Sequence, residues 1–252
     1  MARVICPKCN HRPPLPIGDN EACPACGVFM HKLVAPGGSG LAREARLNRA
    51  TKPVRGQWLL LQIPGSGLIE NRARALLLAV LTLWGVYLAS RDITTGEIGQ
   101  SFMHNILLVI HEAGHALFMP FGEFLMIAGG SLFQVALPFA IAVAFLVKNR
   151  DPFGAAVCLW WTGISLIDLA PYVYDALQPQ LILLGGRTGE DGPHDWIYLF
   201  ETLGGLRYAH GWGRVVQVAG ILVAFGALLW AALAVWHTHR HPSDAKSEAL
   251  LD

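Results

Sequence analysis

The stretch SFMHNILLVIHEAGHALFMPFG, residues 101–122, is the part of the sequence from which the fold can be predicted. It is apolar over most of its length, yet it carries the pattern HEAGH at positions 111–115. On a helix, His111 and His115 point in the same direction and Glu112 lies beside them. Ionisable groups are costly in an apolar membrane segment and usually mark a site. We therefore predict a helix whose polar face is turned toward the protein interior.

The composition of the whole chain places this segment in a membrane protein. Of the 252 residues, 53% are hydrophobic and only 15% are charged, and the mean hydropathy is positive. This balance is typical of integral membrane proteins. The net charge of +1 gives no general attraction for nucleic acid, so no nucleic-acid partner is expected.

Five apolar segments follow residue 74, and most are long enough to cross about 30 Å of hydrocarbon as helices. They are residues 75–90, 102–121, 124–147, 154–177 and 214–236. The region between the fourth and the fifth is polar and rich in glycine. It is predicted to be a loop with a short amphipathic helix around DWIYLFETLGGL, residues 195–206.

Four of the five cysteines form two C-x-x-C motifs near the N-terminus: Cys6, Cys9, Cys23 and Cys26. Each motif lets two thiolates approach one ion from a tight turn, and two such turns complete a tetrahedral S4 site suited to zinc. A redox pair needs only one such motif, and a rubredoxin-type iron site shares the geometry, but zinc is favoured. The module resembles a zinc ribbon with a structural zinc, on which a soluble partner can dock.

The expected fold class is an all-α multi-pass membrane bundle of about five spanning segments, preceded by this zinc ribbon. Four parts are predicted: the ribbon (1–35), a linker with a basic juxtamembrane stretch (36–73), the membrane domain (74–240) and a polar tail (241–252). The upstream basic residues and the need to keep four thiolates reduced favour a cytosolic N-terminus. No signal peptide is predicted, and the expected location is a prokaryotic inner or plasma membrane.

The HEAGH motif predicts a zinc site of its own. Two imidazoles at this spacing can bind one zinc ion, with a carboxylate as the third ligand and water in the fourth position. The metal lowers the pKa of that water, and Glu112 is placed to accept its proton. This arrangement is typical of metal-assisted hydrolysis.

Three features of the membrane part, in chain order, resemble the site-2 protease family of intramembrane zinc metalloproteases. The first is HEAGH. The second is AGGSLFQ, residues 128–134, which looks like the family's G-P-x-x-N element, with Gln134 at the position of the asparagine. The third is DLAPYVYDA, residues 168–176, which looks like the N-x-x-P run that ends in an Asp-Gly pair. Asp175 then stands at the metal-binding aspartate.

The sequence departs from the family pattern at several of these positions. Ser131 replaces the proline, Asp168 an asparagine and Ala176 a glycine, and the last motif is one residue short. These changes predict a divergent member. The alternative for AGGSLFQ is close helix packing through small residues.

The resemblance implies a catalytic zinc bound by His111, His115 and Asp175, in addition to the structural zinc. It also implies that Glu112 handles the water proton and that Gln134 holds the substrate strand or its oxyanion. Geometry leaves other candidates for the third ligand, which are Asp168, Asp195 and His194. A carboxylate that does not bind is expected to orient a ligand, and His104 is expected to lie outside the ligand set.

The implied activity is hydrolysis of peptide bonds in membrane-embedded protein substrates, so the partners are a membrane protein and the lipid bilayer. Two other functions remain open at this stage. One is a zinc-binding membrane adaptor or assembly factor that does not cut. The other is a metal transporter in which the histidines and aspartates line a path.

Overall fold

The computed structural model describes residues 21–27, 63 and 67–240 of the chain, which clusters into two units, residues 1–54 and 55–252. All regular structure between residues 67 and 240 is helical, and this confirms the all-α class for that part of the chain. The α-helices are α1 (Leu68–Ala89), α2 (Phe102–Phe118), α3 (Glu123–Val147), α4 (Pro152–Asp175), α5 (Asp195–Thr202) and α6 (Ala209–Arg240). Short 3-10 turns lie at Glu97–Gln100, Met119–Phe121 and Leu206–Tyr208.

The zinc ribbon falls largely outside the described residues. Cys6 and Cys9 belong to the part that is not described, as do most of the basic linker and the tail. The second motif, with Cys23 and Cys26, forms a tight turn in which the Gly27 N–H donates to the Cys23 carbonyl at 2.8 Å. The four-cysteine site therefore stays a prediction.

Four helices have the length and composition of membrane spans: α1, α3, α4, and α6 together with the turn before it, Leu206–Arg240. The fifth apolar segment, residues 102–121, is interrupted. Helix α2 ends at Phe118 after 17 residues, and Pro120 and Gly122, which has a φ of 95°, redirect the chain into α3. At 1.5 Å per residue, α2 is about 26 Å long and shorter than the hydrocarbon layer. The described residues thus offer four candidate spans where the sequence predicted about five.

Helix α4 lies at the centre of the bundle and packs against α1, α3 and α6. Its contact with α6 is closest at Gly163 and Gly220. A Cβ added to Gly163 would lie 2.5 Å from the Ala224 nitrogen, and one added to Gly220 would lie 2.7 Å from the Gly163 carbonyl oxygen. Small residues allow membrane helices to approach in this way.

Helices α2, α3 and α4 follow one another through short connections, and neighbours are antiparallel. Near the end of α2, Gly114 faces Gly129 in the first half of α3, and Phe145 at the end of α3 faces Gly154 at the start of α4. Helices α2 and α4 therefore run in the same direction. Their C-terminal ends, the start of α3 and the loop before α5 meet at one end of the bundle.

Large apolar side chains cover the outer surfaces of the long helices. Leu83 on α1, Leu132 on α3 and Leu222 on α6 are at least half exposed. A water-soluble protein rarely exposes so much contiguous apolar surface, whereas lipid accepts it. The outer surface is therefore consistent with a bundle embedded in a bilayer.

The contact between α4 and α6 gives a test of the fold. Gly163→Ala is expected to lower the free energy of unfolding by roughly 1–3 kcal/mol, because the new methyl group meets the α6 backbone. Gly226→Ala, on the same helix pair but with no atom within 4 Å of the added Cβ, should be neutral or stabilise by up to about 1 kcal/mol. Denaturing-detergent titration followed by circular dichroism measures both. Equal stabilities of the two variants would contradict the close contact.

Candidate metal centre

His111 and His115 lie side by side on the face of α2 that is turned toward α3. Their ring centroids are 4.8 Å apart and the rings meet edge to face. A Cβ added to Gly130 of α3 would lie 2.5 Å from the Nε2 atoms of both histidines. Only glycine leaves room for the two rings at this point, so Gly130 forms the floor of the site.

The neighbouring glycine has a different role. A Cβ on Gly129 would lie 2.6 Å from Phe118 Cβ and 2.9 Å from the Gly114 carbonyl oxygen. Gly114 and Gly129 therefore let the two helix backbones touch. The AGGSLFQ stretch thus serves close helix packing at Gly129 and clears space for the histidines at Gly130.

Asp195 completes the cluster from the opposite side. It is the first residue of α5, and its Oδ2 lies 2.9 Å from His111 Nε2 and 3.3 Å from His115 Nε2. Candidate ligand atoms of all three residues lie within 4.8 Å of one another. Within the described part of the chain, no other group of three histidine, cysteine or acidic residues is compact enough to hold one ion.

The outer nitrogen of each histidine is fixed by a hydrogen bond. His115 Nδ1 donates to the Met126 carbonyl oxygen, which can only accept, at 2.9 Å. His111 Nδ1 donates to Gln134 Oε1 at 2.9 Å. With the proton on Nδ1, the neutral form of each ring carries its lone pair on Nε2, the nitrogen that faces Asp195, and this is the tautomer that binds metal.

The amide of Gln134 is oriented in turn by its other neighbours. Its Nε2 donates to Asp168 Oδ2 at 3.1 Å and to the Ser165 carbonyl oxygen at 3.5 Å, so Oε1 must face His111. The side chain is buried, with 3% of its surface exposed. The predicted role of Gln134 in holding substrate is not supported by this geometry, because both ends of the amide are already engaged within the protein.

Asp168 is buried deeper in the bundle and pairs with His104. His104 Nδ1 lies 3.0 Å from Asp168 Oδ1 and 3.2 Å from Oδ2. A continuous chain of polar contacts therefore runs from His104 through Asp168 and Gln134 to His111. The sequence predicted that a carboxylate outside the ligand set would orient a ligand, and Asp168 occupies such a position, with His104 behind it.

Asp175, the residue favoured by the family motif, lies away from the histidines. It ends α4, and its Oδ1 accepts from the backbone N–H groups of Gln180 at 2.8 Å and Leu181 at 3.2 Å. The structure brings Asp195 to the two histidines and leaves Asp175 outside the compact group. The reason is that the chain after α4 folds back over the site, so the loop delivers a carboxylate that the helix end does not.

His194, the other candidate from this loop, caps the N-terminus of α5. Its Nδ1 accepts from the Ile197 N–H at 3.3 Å, and its Nε2 lies 3.5 Å from Asp175 Oδ2. Both nitrogens face partners other than the histidines of α2. His194 is therefore placed as a structural residue next to Asp195.

His111, His115 and Asp195 border a cavity of about 640 Å³ at the end of the bundle. Glu112 and Glu123 contribute two further carboxylates to its lining, and apolar walls come from Leu108, Ile127, Leu169, Leu183 and Trp196. The Glu112 side chain is exposed to the cavity. The lining residues Leu169 and Tyr172 place the cavity within about two turns of the end of α4.

The donor set fits a zinc ion. Zinc binds imidazole nitrogen and carboxylate oxygen at about 2.0–2.1 Å, so tetrahedral ligand atoms lie about 3.3 Å apart. The separations of 2.9 and 3.3 Å from Asp195 to the two histidines are close to this value. Two histidines and one carboxylate form the ligand set of a zinc site that keeps a fourth position open for water.

A substitution of Gly130 tests the site without replacing any of the candidate ligand residues. Gly130→Ala is expected to weaken zinc binding roughly 10- to 100-fold, because the added methyl group displaces both Nε2 atoms. Competition with a chelator on the purified protein measures the affinity, and Gly226→Ala serves as the control because its added methyl group meets nothing. Unchanged zinc affinity in Gly130→Ala would contradict metal binding in this arrangement.

Comparison of the chain with protein-family models, with curated proteins and with solved structures gave no match. What the protein does is therefore inferred from the chemistry of its own residues.

Proposed function

We propose that the protein is a zinc-dependent endopeptidase that hydrolyses peptide bonds of membrane-embedded substrates, as the site-2 protease family it resembles does. One observation carries the proposal: Nε2 of His111, Nε2 of His115 and Oδ2 of Asp195 converge in a cavity that Glu112 also lines. Three ligands with an open fourth position, next to an exposed carboxylate, favour hydrolysis over a purely structural metal site.

A zinc ion bound there would supply a Lewis acid for the scissile carbonyl and would lower the pKa of water. The residues of the chain supply the rest. Glu112 accepts the proton of the attacking water and returns it to the leaving amine. No hydrogen bond or ion pair to a protein side chain is found for Glu112 in the described residues, so its carboxylate is available for this transfer. Gln134 and Met126 hold the two histidines in orientation through their oxygen atoms.

The position of the cavity in the bundle supports a substrate that reaches it near the membrane surface. The same end of the bundle carries cation–aromatic pairs, with Arg207 over Tyr208 at 4.6 Å and Arg214 over Tyr174 at 5.5 Å. Such residues are typical of the membrane–water interface. A metal site close to the membrane surface would be accessible to water. Such a site favours substrates whose transmembrane helix ends or unwinds near the membrane–water interface.

The test is a pair of variants that remove one charge each from the same cavity. Glu112→Gln is expected to keep the zinc and to lower the cleavage rate roughly 10²- to 10⁴-fold, because it removes the general base. Glu123→Gln is the matched control and should retain activity. Purified proteins in nanodiscs are assayed with labelled transmembrane peptides and with casein as an unfolded polypeptide, and zinc content is measured on the same samples.

A second measurement identifies substrates and separates the other functions. Peptide ends are compared by mass spectrometry in membranes from cells that express the wild-type protein or Glu112→Gln. New ends that depend on Glu112 support the protease and name its substrates. Identical ends, together with an unaltered cellular phenotype of Glu112→Gln, would overturn the proposal in favour of an adaptor. Zinc uptake into proteoliposomes that survives Glu112→Gln would overturn it in favour of a transporter.

A further inference from the structure

We propose that Asp175 and His194 are positioning residues that hold Asp195 over the histidines of α2. The inference rests on the proposed function in that Asp195 is taken as the third zinc ligand. In this arrangement, the loop between α4 and α5 is an arm that carries the ligand. Asp175 matches the metal-binding aspartate of the family motif, but here it influences the metal only by positioning this arm.

The first fixed point of the arm is the end of α4. Asp175 is buried, and its Oδ1 accepts from the N–H groups of Gln180 and Leu181 at 2.8 and 3.2 Å. Both donors lie in the first turn of the loop after the helix. A carboxylate that accepts several backbone N–H groups forms strong charge-assisted hydrogen bonds. The direction in which the chain leaves α4 is therefore set by the Asp175 side chain.

The second fixed point is His194, the residue directly before Asp195. Its side chain is 2% exposed, and its Nδ1 accepts from the Ile197 N–H as the cap of α5. An accepting Nδ1 requires the proton on Nε2 in a neutral imidazole. That Nε2 has no hydrogen-bond partner of good geometry and faces Asp175 Oδ2 at 3.5 Å. The two ends of the loop thus meet where one buried histidine lies beside one buried carboxylate.

Tight packing of the loop supports the same placement. A Cβ added to Gly189 would lie 2.8 Å from His194 Cδ2 and 2.9 Å from Pro179 Cβ. The middle of the loop therefore lies directly on the His194 ring and on the residue that precedes Gln180. This leaves His194 little freedom to move away from Asp175.

Asp195 depends on this support because its own side chain has few restraints. Its ion-pair contacts in the described structure are with His111 and His115, the groups that it would join at the metal. Its backbone position follows from His194 and from the first turn of α5. Residues outside the ligand set that orient a ligand typically change metal affinity 10- to 100-fold when they are removed.

The experiment is a double-mutant cycle on cobalt and zinc affinity in the purified full-length protein. Asp175→Ala is expected to weaken metal binding 10- to 100-fold, and Asp195→Ala by at least as much. If Asp175 acts through Asp195, then Asp175→Ala has no further effect in the Asp195→Ala background. Additive effects would overturn the proposal. So would a large loss in Asp175→Ala with no loss in Asp195→Ala, because Asp175 would then bind the metal itself.

The visible spectrum of bound cobalt separates positioning from a loss of fold stability. Asp175→Ala is expected to shift the ligand-field bands of the bound ion toward those of Asp195→Ala. A variant that only destabilises the fold lowers the melting temperature and leaves the spectrum of the bound ion unchanged, and that outcome would overturn the proposal. A cobalt ion bound by the cysteine motifs would give bands common to all variants, and these cancel in the difference spectra.

A conservative variant tests His194 in the same assay. Asparagine is among the best N-cap residues, so His194→Asn keeps the cap of α5 but is too short to reach Asp175. We expect its metal affinity to fall below that of the wild type, and His194→Ala to lose more. Wild-type affinity in His194→Asn would overturn the role of the Asp175 contact. None of these measurements uses cleavage, so an inactive protein with the expected metal data would overturn the proposed function and leave the positioning roles intact.

Discussion

The contact between α2 and α3 is the constraint on which the rest of the centre depends. At Gly129 the two helices touch through their backbones, and one residue later Gly130 makes room for two imidazole rings. A longer separation would remove the hydrogen bonds from His111 to Gln134 and from His115 to Met126, which both cross from α2 to α3. Helix packing and ligand orientation are therefore one structural feature, and a larger residue at either position disturbs both.

The polar side chains inside this apolar bundle form a continuous series of hydrogen bonds with one another. An isolated charge such as that of Asp168 is costly in a bilayer, and the cost falls when the group is paired and hydrogen-bonded. His104 Nδ1 lies within hydrogen-bond distance of the Asp168 carboxylate, and the Gln134 amide links the pair to His111. The hydrogen bonds that make burial of these groups tolerable also orient His111, so the stability of the bundle and the proposed metal site place the same demand on these residues.

The sequence predicted the parts of the centre that depend on local geometry. The spacing of His111 and His115 is a property of one helix, and the glycines of AGGSLFQ are small wherever they lie. The third candidate ligand depends on how the 19-residue connection between α4 and α5, residues 176–194, folds back, and no local pattern encodes that path. Asp195 was therefore one of several open candidates. The motif resemblance favours Asp175, but in the structure its carboxylate accepts hydrogen bonds from backbone N–H groups.

The length of α2 was misjudged for a related reason. The apolar run in the sequence continues through residue 121, but Pro120 and Gly122 end the helix earlier. The chain reverses there, and Glu123 and Met126 at the start of α3 line the cavity. The loop after α4 lines the cavity through Leu183, Leu184 and Pro193, and it leads into α5, whose first residue is Asp195. The same loop therefore borders the cavity and places Asp195 beside the two histidines of α2.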